Sequence, residues 1–123
     1  MEKIAIRSSL TAACDISGNT FFSRAQFELI NTFIENCLRH TSQLPGITGD
    51  EEDGGVSIDW LSDGEDDDDF LSFGMSIWND EGSGHILTGM KCVEFWEKKG
   101  TPEETLPEIE KMAQRYFQMK KNK

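Results

Sequence analysis

Eleven carboxylates, Asp50, Glu51, Glu52, Asp53, Asp59, Asp63, Glu65, Asp66, Asp67, Asp68 and Asp69, stand between residues 50 and 69 with no lysine or arginine among them. Taking these eleven from the 23 acids of the chain leaves 12, which balance its 12 bases. The formal net charge of −11 therefore resides in this one segment. Carboxylates in this density can do two things. They can offer hard oxygen ligands to calcium or magnesium, or they can present a field that repels nucleic acid and anionic membrane and attracts a basic protein surface. For the first, the run Asp63 to Asp69 does not match the spaced calcium loop D-x-[DN]-x-[DN]-G-x5-E, because its glycine and distal glutamate are misplaced. Only weak, nonspecific divalent binding is expected, and no metal or other cofactor is assigned. For the second, the sign excludes a direct nucleic-acid binder and points to a partner that itself handles nucleic acid.

Two other sets of residues carry chemistry by type. Cys37 and His40 are three apart, and His85 and Cys92 would be needed to complete a zinc site, but no C-x2-C knuckle is present. A cysteine nucleophile with one of the two histidines can be drawn. Yet Cys37 belongs to an apolar stripe, which makes a buried structural thiol the expected state. No G-x-S-x-G, P-loop, dinucleotide fingerprint or H-E-x-x-H occurs. The chain is expected not to be an enzyme.

The elements that must position the acids follow from periodicity. Val56, Ile58 and Trp60 alternate with Ser57 and Asp59, and Leu71, Phe73, Met75 and Ile77 alternate with Ser72, Gly74 and Ser76, so two antiparallel strands flank the loop 62–69. The acid loops 49–55 and 62–69 then sit at opposite ends of the strand 56–61, with Asp59 facing outward between them. Residues 85–90 supply a third strand after a turn at 79–84, and 91–99 reads equally as strand or helix. Residues 3–7, KIAIR, alternate as a short strand, 8–22 show no clear period, and Thr41 to Gly49 is a breaker.

From Ser23 the period becomes helical. Ser23 and Gln26 form a capping box, and Phe27, Ile30, Phe33, Ile34, Cys37 and Leu38 form one stripe of a helix over 23–39. Thr101 and Glu104 form a second box with Pro102 at the first helical position. Leu106, Ile109, Met112, Ala113, Tyr116 and Phe117 are the buried stripe of a helix over 102–119, and the basic end 120–123 is expected to fray. The expectation is an α+β domain spanning 1–123: a small antiparallel meander of three to four strands with two amphipathic helices on one face.

With 123 residues, eight Phe and three Trp, the chain is long enough for one core. Three cysteines at wide spacings fit reduced thiols in the cytoplasm. Leu10 to Cys14 faintly resembles a lipoprotein cleavage box, but the apolar run before it is broken by Arg7, Ser8 and Ser9, and no stretch approaches the ~18 apolar residues of a membrane span. Trp78 has the opposite parity to Leu71, Phe73, Met75 and Ile77, which suits an exposed anchor for a protein partner.

Small size, absence of catalytic motifs and focused acidity resemble, as a class, the inhibitor proteins of phages and mobile elements. The expected function is a DNA mimic: an acidic, non-enzymatic inhibitor that blocks the basic nucleic-acid-binding surface of another protein, as an anti-defence protein does. The alternatives are a toxin-neutralising immunity protein, and an adaptor that binds through an aromatic sheet face and uses its acids for solubility. The expected contacts are Asp63, Glu65 and Asp66 to Asp69, then Asp50 to Asp53, with Asp59 and Trp78.

Overall fold

A computed structural model describes residues 2–16, 22–41, 43–49, 55–61, 71–88 and 91–121. In these residues the chain forms α1 (Glu2–Ile16), α2 (Arg24–Cys37), β1 (Gly46–Gly49), β2 (Val56–Leu61), β3 (Leu71–Ile77), β4 (Glu81–Thr88), β5 (Lys91–Lys99) and α3 (Pro102–Lys121). The five strands make one antiparallel sheet in the order β1-β2-β3-β4-β5. The fold is α+β, with one strand more at the least than the periodicity indicated and one further helix.

The two helices read from the sequence form for the reasons given. The Ser23 amide donates to Gln26 Oε1 at 3.0 Å, and the Gln26 amide donates to Ser23 Oγ at 3.1 Å, so each end of the box satisfies a backbone group of the other. At α3 the Thr101 amide and hydroxyl both donate to Glu104 Oε1 at 3.1 Å. These donors stabilise the carboxylate and hold Glu104 below its usual range. The helix runs on through Lys121, and Lys120 is half-buried with its ammonium donating to Gln43 Oε1 at 2.8 Å.

Three expectations are corrected. Residues 3–7 are helical: Ile6, Leu10 and Ala13 are buried at steps of four and three, a helical spacing that outweighs the brief alternation around Ile4 and Ile6. The turn expected at 79–84 is only Asn79-Asp80, closed by the Trp78 amide donating to the Glu81 carbonyl at 2.8 Å, and β4 begins at Glu81. Residues 46–49, read as part of a breaker, pair with β2 as an edge strand. Residues 91–99 are strand, paired with β4 through a register shift between Ile86 and Leu87.

All three helices pack on one side of the sheet. The register aligns Ile47, Ile58, Met75 and Gly84 in one cross-strand row and Trp60, Phe73 and Ile86 in the next. The apolar members of these rows from β2, β3 and β4 are buried; α3 lies against β3 and β4 and reaches Trp60 of β2 through Phe117, while α1 crosses β1, and α2 lies against α1 and α3. Trp60 is the centre of the core. It stacks on Phe73 at 6.0 Å, meets Phe117 edge-on at 5.8 Å, and donates its indole N–H to the Gln43 carbonyl at 3.2 Å. Burying a residue of this size removes its large apolar surface from water, while the hydrogen bond satisfies its one polar atom.

Candidate interaction surface

The opposite face of the sheet bears no described helix and is built from small and polar residues. One row across all five strands reads Gly46, Asp59, Gly74, His85 and Phe95, and the next reads Thr48, Ser57, Ser76, Ser83 and Glu97. Ser57 and Ser76 share a hydrogen bond between hydroxyls at 3.0 Å. Gly74 is where a side chain is excluded: a Cβ there would lie 2.7 Å from the His85 ring, which extends across it from β4. Asp59 flanks the same glycine from β2 and is half-buried on this face, as its parity indicated.

Of the predicted contacts, Asp59 and Trp78 are described; Asp50 to Asp53, Asp63, Glu65 and Asp66 to Asp69 lie outside the described residues. What the fold fixes is where their segments attach. The connection from β1 enters β2 at Val56 and the connection to β3 leaves it at Leu61, so the two acid clusters are tethered to opposite ends of one strand. Pairing with β1 on one side and β3 on the other holds that strand in the interior of the sheet.

Trp78 differs from the exposed anchor expected of it. Its indole lies over Gly55, where a Cβ would come within 2.3 Å of Nε1, and it is half-buried. It thus ties the β3–β4 turn to the start of β2. Among the described residues an exposed aromatic is instead Phe95 on β5, 61% accessible, with Val93 beside it at 51%. Neither was singled out by the sequence. The alternation of Phe95 with Glu94 and Trp96 was a usable signal only once 91–99 was known to be strand.

The cysteines and histidines do not assemble. Cys37 is buried, and burial, with a smaller contribution from Glu110, pushes its thiol up to about 12, the opposite of an activated nucleophile. His40 stacks on Phe117 at 5.6 Å, and the cleft it shares with Cys37 has about 20 Å³, room for a single water. His85 and Cys92 belong to the other face of the sheet. Among the described residues no three His, Cys, Asp or Glu side chains come together to hold a metal. A cleft of about 400 Å³ between α1 and the start of α2 is lined by Arg7, Phe22, Arg24 and Phe27, and the Arg7 guanidinium is taken up by Glu28. Also among the described residues, no helix is long and apolar enough to cross a membrane.

Comparison of the chain with models of protein families, with curated proteins and with solved structures finds no match.

Proposed function

We propose that this protein is a non-enzymatic inhibitor that occupies the basic, nucleic-acid-binding surface of another protein in the cytoplasm. The observation that carries this reading is the segregation of charge: eleven carboxylates without a single base, ten in the segments attached at the two ends of β2 and Asp59 within it, in a chain otherwise neutral. A six-residue strand spans roughly 20 Å at ~3.3 Å per residue. One DNA strand sets a phosphate every ~3.4 Å, so the acids cover a length of about six phosphates. Asp59, on the open face between the two clusters, extends the series.

Such a surface displaces nucleic acid sterically and by charge, and association releases ions from both partners, so binding weakens with salt. An anti-defence protein of a phage or mobile element and a toxin-neutralising immunity protein both act in this way. A second reading, an adaptor binding through the open sheet face, is favoured by the exposure of Phe95.

The test is capture of partners from nuclease-treated lysate by tagged protein at low and moderate salt, followed by affinity measurements on the retained partner. Replacing Asp66, Asp67, Asp68 and Asp69 with Asn is expected to weaken binding and to lower the slope of log K against log salt by about 1 for each carboxylate in contact. Unchanged affinity and slope would reject the acid-mimic mechanism. Loss of binding on Phe95→Ser with the Asn variant unaffected would establish the adaptor reading instead.

A further inference from the structure

The two edges of the sheet are unlike. β1 is four residues long, begins and ends in glycine and follows Pro45, all features that discourage pairing. β5 is nine residues long, contains no proline and carries the exposed Phe95 and Val93, and among the described residues no strand pairs with its outer side. The Gly100 amide donates to the Asp80 carbonyl at 2.8 Å, toward the β4 side. Because peptide groups alternate in direction along a strand, the amides and carbonyls of Glu94, Trp96 and Lys98 also turn toward β4. Those of Phe95 and Glu97 turn outward and remain to be paired.

We propose that β5 pairs antiparallel with β5 of a second copy of this chain, about a two-fold axis at Trp96, joining two five-stranded sheets into one. Charge selects both the occupant and the register. With the axis at Trp96, Glu94 of each copy faces Lys98 of the other, and Phe95 faces Glu97. The Glu94–Lys98 positions are non-hydrogen-bonded pairs, the close type with Cα atoms ~4.5 Å apart, and Phe95 and Glu97 exchange the backbone bonds. The two Phe95 rings become diagonal neighbours at ~7–8 Å on the open face, within aromatic reach.

The neighbouring two-fold registers that also match the outward-facing backbone groups are worse. An axis at Phe95 opposes Lys91 to Lys99, and one at Glu97 opposes that glutamate to itself. An axis at Glu94 or Lys98 would put like charges on the axis. Lysines on an edge ordinarily deter pairing; here each neighbouring register sets like charges against each other, through Lys91 and Lys99, Glu97, Glu94 or Lys98, and the axis at Trp96 does not. The paired segment, 94–98, lies C-terminal to the irregularity in the β4–β5 register and is free of it. The net charge of −11 does not forbid the contact. β2, which carries the acid segments, is three strand spacings or ~14 Å from the seam, beyond the ~8 Å screening length at physiological salt.

The test is sedimentation velocity of the full chain over micromolar to millimolar concentration, with the variants Glu94→Lys and Lys98→Glu alone and mixed. The wild type is expected to be a dimer and no larger, because a two-fold pairing uses the β5 edge of both copies and leaves outermost only the short, glycine-bounded β1. Each variant alone faces like charge with like and is expected to dimerise at least about tenfold more weakly. Their equimolar mixture restores both opposite-charge pairs and is expected to recover the dimer. Since Glu94 also pairs with Arg115, a variant independent of that contact is Glu97→Pro, which removes an outward amide without touching the β4 ladder and is expected to be monomeric with an unchanged far-ultraviolet spectrum. A monomeric wild type throughout that range, assembly beyond the dimer, a dimer indifferent to Lys98→Glu and Glu97→Pro, or a mixture that stays monomeric would each overturn the proposal.

Discussion

Replacing Gly49 with Ala adds one methyl group at the point where α1 crosses the sheet. A Cβ on Gly49 would lie 2.1 Å from the Ala13 carbonyl oxygen and 2.9 Å from its carbon. Both obstructing atoms are backbone, so no rotamer change relieves the contact; the helix must lift by about 1 Å or more to regain ordinary separation. Overpacking of this kind costs about 1–3 kcal/mol. The upper bound is set by detachment of α1, which would expose Ile6 and Leu10, each worth about 1.5–3 kcal/mol when fully buried. We therefore expect a loss of about 3 kcal/mol, seen as a fall of about 1–3 M in the urea midpoint for a slope of 1–3 kcal/mol per molar. Gly46→Ala is the control on the same strand. Its Cβ would face the other side of the sheet, no nearer than 3.4 Å to Asp59 Oδ2. Neither glycine has the positive φ that would strain an alanine, so Gly46→Ala is expected to be neutral or stabilising by up to about 1 kcal/mol through the unfolded chain. Equal midpoints for the two variants would refute the docking of a helix at residues 2–16 against β1.

The remaining predictions concern titratable groups. Cys92 is exposed and Cys37 is buried with its thiol pushed up to about 12, so iodoacetamide near neutral pH is expected to label Cys92 in the folded protein and Cys37 only on unfolding; mass spectrometry of the peptides decides it, and rapid labelling of Cys37 would reopen the nucleophile reading. Glu104 is held below its usual range by the Thr101 donors, so its contribution to stability is present above its unfolded pKa and is lost as pH falls through the depressed folded value. Glu104→Gln is therefore expected to lower stability near neutral pH and to flatten the decline of stability with acid, measured by urea unfolding between about pH 2 and 7; an unaltered pH profile would count against the cap.

How much could be read in advance depended on how local the governing interaction is. The start of α2 rests on a hydrogen-bonded exchange between Ser23 and Gln26, and its face on side chains three and four apart; both are properties of a short stretch. The same holds for β2 and β3, where alternation sorts Ile58 and Met75 to the buried side. β1 escapes and 91–99 reads equally as strand or helix, because an edge strand takes its definition from the neighbour that pairs with it, and GITG and KCVEFWEKK carry too little alternating apolar character to announce a face. Residues 3–7 misled because five residues contain too little of either period; burial of Leu10 and Ala13, further along, decides for helix.

For the candidate site the same division holds. The sequence by itself determined the charge: a run of carboxylates is acidic wherever it lies, and their exclusion of bases needs no fold to be seen. It also determined the parity of Asp59. Only the tertiary structure decided that β2 is interior, which tethers the two acid clusters to opposite ends of a paired strand, and that β5 is the long open edge. Likewise Trp78 is half-covered because Gly55, more than twenty residues earlier, lies beneath its ring, while Phe95 is left bare because nothing described follows β5 in the sheet. Alternation names two faces and helical spacing names a stripe, but which surface remains open depends on contacts between residues distant in sequence, and those exist only once the sheet has assembled.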